Sequence, residues 1–137
     1  MAAKFIPQDM ATLEEAFQMR KEEYEILHAA GQWQGAVLHA GFVVELALKI
    51  AICKKLNEPK LPRIFQVHDL ELLLHCSGLR KTFEGKPDLY RNFGLVLNHW
   101  STELRYEKAV INKAISNKIH RALFDPASGI VTFLSTL

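Results

Sequence analysis

The amino-acid sequence predicts an all-α protein, an up-down bundle of about five helices. Three observations predict it. Apolar residues recur at spacings of three, four and seven over most of the chain, the period of a helix with one buried side. Helix-starting and helix-stopping residues punctuate those stretches. No segment shows the strict alternation of a half-buried strand. A chain of 137 residues points to one domain and can bury a core without disulfide staples. We place that core at about 10–124, followed by a tail at 125–137.

The first helix is expected to begin near Thr12. Thr12-Leu-Glu-Glu15 has capping-box form, in which a hydroxyl and a carboxylate answer backbone N–H groups that no helical carbonyl reaches. Leu13, Phe17, Tyr24 and Leu27 then share a stripe. Gly31 marks the stop, since glycine readily takes left-handed geometry. The second helix runs from about Trp33 to Leu56 and is apolar on nearly every side, so neighbours must cover several of its faces. Glu45 and Lys49 are its polar exceptions, four residues apart in the favourable order for a helix pair. Asn57, Pro59 and Pro62 break it.

A short third helix is expected over about 68–77, with Asp69 and Glu71 in its first turn and Leu70, Leu73 and Leu74 buried. Gly78 stops it, and LRKTFEGKPD reads as a polar connection. The fourth helix starts near Pro87, a residue suited to the first helical position, and buries Leu89, Phe93, Val96, Leu97 and Trp100. A break is expected around Ser101 and Thr102. The fifth helix carries Ile111, Ile115, Ile119 and Ala122 on one face and ends at Asp125-Pro126. Residues 130–137 fit a short helix, an added strand or a partner-binding segment equally.

Composition excludes several classes of function. Seventeen Lys and Arg against fifteen Asp and Glu leave a net charge of only +2, too little for bulk, sequence-blind nucleic-acid binding. Cys53 and Cys76 sit among apolar residues and read as buried, reduced thiols, and neither has a partner at zinc-finger spacing. MAAKFIPQDM has no apolar leader core, so a cytoplasmic location is expected. The apolar run 36–53 carries His39, Glu45 and Lys49, which cost several kcal/mol each at a bilayer centre. A central bundle helix explains that run better than a membrane span. Phosphate-binding glycine loops and Ser or Cys nucleophile motifs are absent from the sequence, and no cofactor is expected.

Three fragments, GAVLHAGFVVELALKIAI (35–52), VHDLELLL (67–74) and WSTELRYEK (100–108), stand in a fixed order. The first resembles the central helix of HEPN domains, with its glutamate-x-x-x-lysine step. The second resembles the HEPN third helix, which commonly opens His-Asp-Leu. The third resembles the Arg-Tyr step near the start of the last long helix. The resemblance spans about 10–122 and implies an HEPN-like bundle that usually dimerises. It implies either a metal-independent ribonuclease with an Arg-x4–6-His motif or a non-catalytic module. Such modules bind a nucleotide or a partner protein, some beside a nucleotidyltransferase in toxin–antitoxin pairs.

Arg63-x4-His68 satisfies the ribonuclease spacing. A histidine there would move the 2′-hydroxyl proton and the arginine would hold the phosphate. Six arginines and six histidines in a chain of this length supply about one such match by chance. The pair also lies earlier in the chain than the family places it. We therefore expect His68 and Asp69 to open the third helix, with Arg63 a solvated or ion-paired loop residue. The preferred function is a non-catalytic, homodimeric module that binds a nucleotide, an RNA phosphate or a partner protein. The alternative is a ribonuclease using Arg63 and His68.

Arg105 and Tyr106 are the binding candidates, one for a phosphate and the other to stack on a base. Their structural alternative pairs Arg105 with a glutamate such as Glu45 and packs Tyr106 in the core. Glu45 and Lys49 complete the candidate ligand set. Lys49, Lys54 and Lys55 would make a phosphate-facing patch, or simply favour the C-terminal end of their helix. Trp100 and His39 are expected to serve packing, His39 as a buried ring with one hydrogen bond. His68 and His75, seven residues apart, lack a third metal ligand, so no metal is expected.

Overall fold

A computed structural model describes residues 8–107 and 110–137. Residues 1–7, which carry most of the leader-peptide argument, and 108–109, which include the last position of the 100–108 fragment, lie outside it. Seven α-helices and two 3₁₀ turns make up the described residues, with no β-strand. The all-α class holds, with more and shorter pieces than the five helices expected.

α1 is Met10–Ala29. It starts earlier than the Thr12 capping box indicates, because Asp9 is the N-cap: its carboxylate accepts the Thr12 N–H at 2.7 Å. That bond holds the Asp9 carboxyl below the usual range. An isolated antiparallel bridge between Asp9 and Lys60 ties this start to the loop after the second helix. Gly31 (φ +75°) ends α1 as expected, where a side chain would be strained.

α2 is Trp33–Leu56 and closes on Asn57 in left-handed geometry. It packs against α1 and against elements from the rest of the chain. It is long and apolar enough to cross a membrane, yet 67% of its most apolar stretch is buried within the fold, as befits a core helix. Cys53 is buried, which pushes its thiol up, while Cys76 is only half-buried.

The 3₁₀ turn Arg63–Phe65 leads to α3, Leu70–Cys76. Asp69 is its N-cap rather than a first-turn residue, accepting the Leu72 N–H at 3.0 Å, so His68 lies outside the helix. Leu70, Leu73 and Leu74 are buried as expected.

The expected polar connection contains a helix, α4, Arg80–Glu84. The cause is Phe83, fully buried and edge-on to Phe93 (5.7 Å) and Phe133 (5.5 Å). Offset and edge-to-face arrangements suit the aromatic quadrupole. α5, Pro87–His99, begins at its proline and stops before Trp100, where the chain turns extended. After the second 3₁₀ turn, Thr102–Tyr106, α6 is Lys113–Phe124, capped by Asn112. Ile111 is thus buried ahead of the helix, not on its face. The tail resolves into α7, Ile130–Leu134, with Ile130, Val131 and Leu134 buried.

Trp100 keys α5 onto α2. Its indole N–H donates to the Leu38 carbonyl at 2.9 Å. The ring lies where a Cβ on Gly41 would come within 2.0 Å of it. Gly41→Ala is expected to expel the indole and cost about 1–3 kcal/mol, read in urea unfolding together with a red-shifted tryptophan emission. Phe83→Ala removes the phenylalanine joining α4, α5 and α7. It is expected to cost about 3–5 kcal/mol; a loss below about 1 kcal/mol would mean α4 is not held by that ring.

Candidate functional site

His39, Phe42, Glu45 and Lys49 follow one another at spacings of three and four along one side of α2. The α3 cap brings His68 to this side, and the end of α5 brings Trp100. Phe42 is the common neighbour, edge-on to His39 (6.4 Å), His68 (6.3 Å) and Trp100 (5.6 Å).

Glu45 divides its carboxylate between two partners. One oxygen accepts from Lys49 Nζ at 3.1 Å, the other from His68 Nδ1 at 2.7 Å. Glu45 and Lys49 are each 4% exposed, so this pair is interior. An ionised carboxylate only accepts, so His68 donates through Nδ1–H and keeps Nε2 for a ligand. The His68 side chain is 64% exposed, which leaves it accessible while its orientation is fixed from below.

A cavity of about 210 Å³ opens beside His68, lined also by Asp69, Trp100, Ser101 and Thr102. A second, of about 460 Å³, shares Leu97, Trp100 and Ser101 with the first and extends to Leu104, Glu107, Val110 and Ile115. Gln34 organises the far wall. Its carbonyl oxygen accepts the N–H groups of Val110 (2.9 Å) and Ile111 (3.1 Å), and its amide donates to the Leu104 carbonyl (3.2 Å). One side chain on α2 therefore holds the chain on both sides of 108–109.

Arg105 and Tyr106 stand on the second 3₁₀ turn, between Leu104 and Glu107. Both are exposed, with the guanidinium 4.8 Å above the tyrosine ring. Tyr106 is 73% exposed. Arg105 does not take the Glu45 partner of their structural alternative, since that carboxylate is taken up by Lys49 and His68, and the tyrosine ring is outside the core. Lys49 and Glu45 do not reach the same surface. The three-lysine patch dissolves as well: Lys49 is buried, Lys54 donates to the Leu137 carbonyl at 3.0 Å, and Lys55 lies over Gly78.

His39 makes two contacts rather than one, to the Gly35 carbonyl (3.0 Å) and the Glu23 carboxylate (2.8 Å), the latter shared with Arg20. Arg63 is exposed on its 3₁₀ turn, five residues before His68. His75 lines another hollow with Glu71 and Arg80, which shares Asp69 with the smaller cavity. Among the described residues no three His, Cys, Asp or Glu side chains gather as a metal site requires.

Sequence reasoning missed Gln34, Phe42 and Ser101. A glutamine near a helix start and a serine in a break give no local signal. Phe42 was hidden within a uniformly apolar helix. Compared with family models, curated proteins and solved structures, the chain finds no match.

Glu45→Gln leaves Lys49 charged and buried beside a neutral amide. It is expected to cost about 3–5 kcal/mol in urea unfolding. Combining Glu45→Met with Lys49→Met removes both charges and is expected to recover most of that loss. A double variant no better than Glu45→Gln alone would show that the pair does not carry the destabilisation.

Proposed function

We propose that the chain is a non-catalytic, HEPN-like helical module that binds a phosphate-bearing ligand, single-stranded RNA or a nucleotide, at the surface beside Trp100 and the second 3₁₀ turn. One observation carries this reading: Arg105 and Tyr106 are stacked and exposed next to Leu104 and Glu107, residues that line the larger cavity. A guanidinium offers a phosphate two parallel hydrogen bonds. A tyrosine face accepts any base, with stacking contributing about 1–3 kcal/mol. The low net charge of +2 fits recognition of a few phosphates better than coating by a long polymer.

In this reading two copies pair through the half-buried α2 stripe of Leu38, Phe42, Leu46 and Ile50 together with α5, where Tyr90 is exposed. Sedimentation that finds only monomer at high concentration would remove the dimer without touching the binding site.

Labelled single-stranded RNA and ATP titrated into the protein test the reading by fluorescence anisotropy and calorimetry. Arg105→Ala is expected to weaken binding about tenfold and to lower its salt dependence by about one phosphate contact. Tyr106→Ala is expected to weaken it by a similar factor without altering the salt slope. Binding unchanged in both variants, or no binding to either probe, would overturn the proposal.

A second reading has its own support in Glu45, which holds His68 Nδ1 from a buried position and leaves Nε2 on an exposed ring. That is the arrangement of a general base. It belongs to a metal-independent ribonuclease with Arg63 on the phosphate. RNA cleavage lost in His68→Ala would replace the binding reading; RNA left intact by the unmodified protein would retire the enzymatic one.

A further inference from the structure

Away from the cavities, α1 and α6 meet through a cluster of nearly parallel rings. Tyr24 lies parallel to His28 (5.6 Å, 17°) and to His120 (5.8 Å, 14°). The two imidazoles stack with centroids 4.7 Å apart and planes 11° apart. Trp33 stands edge-on to His28, and Phe124 tilts against both His120 and Tyr24.

Two hydrogen bonds between α1 and α6 run through the cluster. Tyr24 is fully buried, and its hydroxyl pairs with His120 Nδ1 at 2.8 Å. Ser116, also fully buried, pairs with His28 Nδ1 at 3.2 Å. The polarity of the first bond matters. A neutral His120 with its proton on Nε2 accepts the Tyr24 O–H. A doubly protonated ring must donate from Nδ1 instead, which strands the buried tyrosine hydrogen. It also sets a cation against the His28 ring. Metal binding is a poor alternative, because ring-nitrogen lone pairs lie in the ring planes and two parallel planes do not converge on one ion.

We propose that the Tyr24–His120–His28 cluster is an acid-sensitive clasp that holds α1 to α6 while both imidazoles are neutral and releases them when either is protonated. The charged groups facing it are divided. Glu25 on α1 favours a charged His120, while Arg121 on α6 opposes it. Lys21 of α1 lies over the Phe124 ring at 5.9 Å, and the α2 ring against the cluster is the uncharged Trp33. Burial pushes both imidazoles below their ordinary range, with the neighbouring His120 adding to the effect on His28. Groups held low in the fold give stability that is complete above the unfolded value of about 6.5 and is lost as pH falls through the folded values. Acid therefore opens the clasp. The consequence reaches the groove, because Ser116 follows Ile115, which lines the larger cavity.

Two measurements on the intact chain test the clasp. In an NMR titration the His28 and His120 rings are expected to protonate below about pH 6.5; titration of both rings at or above that value would overturn the proposal. Amide exchange, corrected for its intrinsic pH dependence, is expected to quicken in α6 relative to α5 between pH 7.5 and 5.5. Equal behaviour of the two helices would also overturn it. Tyr24→Phe deletes only the hydroxyl, and is expected to raise the His120 titration and flatten the fall of melting temperature over that range. An unchanged His120 titration in that variant would remove the tyrosine bond from the mechanism and sink the clasp as described.

Discussion

A 24-residue helix that is apolar around most of its circumference has to be covered from several directions at once. α2 imposes that requirement, and most of the chain is arranged to meet it. α1 runs along one side of it, while α3, α6, α7 and the second 3₁₀ turn cover others. Several of these covers are five or seven residues long, too short to persist as isolated helices in water. They are helical because their leucines, isoleucines and valines complete the burial of α2, and their caps follow from that placement.

Burying α2 makes its two charges expensive unless they are matched. Glu45 and Lys49 match each other, and the second carboxylate oxygen remains to be used. His68 uses it, and the use comes at a defined place, one residue before the Asp69 cap of α3. The internal charge thus determines where an exposed imidazole stands. Trp100 is fixed with equal firmness from the same helix, through the Leu38 carbonyl and the space that Gly41 leaves open. The polar and aromatic features beside the smaller cavity are both consequences of how one core helix is satisfied.

The sequence made the long elements legible because their information is local. Stripe spacing, Pro87, Gly31 and the Asn57 break located α1, α2 and α5 closely. Local information failed where a distant contact decides. Phe83 makes α4 helical by reaching Phe93 and Phe133, and nothing in LRKTFEGKPD announces partners that far along the chain. Thr12 looks like a cap, but Asp9 takes that role as the chain entering α1 is tied beside Lys60. Among the site residues, the Arg-Tyr step was visible as a motif, while its exposure was not. The Glu45–Lys49 spacing was visible too, but spacing alone does not distinguish an interior pair from a surface one. The His28–His120 cluster joins rings 92 positions apart and carries no local signature at all.

The groove is built unevenly. Its Trp100 side rests on α2, whose backbone hydrogen bonds are internal and buried. Its far wall consists of a 3₁₀ turn and the chain leading into α6, where one glutamine takes up the Leu104 carbonyl and the Val110 and Ile111 N–H groups. The wall continues into α6 at Ile115, one residue before the serine that joins the imidazole cluster. One side therefore rests on a long helix and the other on a short turn joined to that same helix by a side chain, and under the proposed clasp a protonated imidazole would act on the second side through α6.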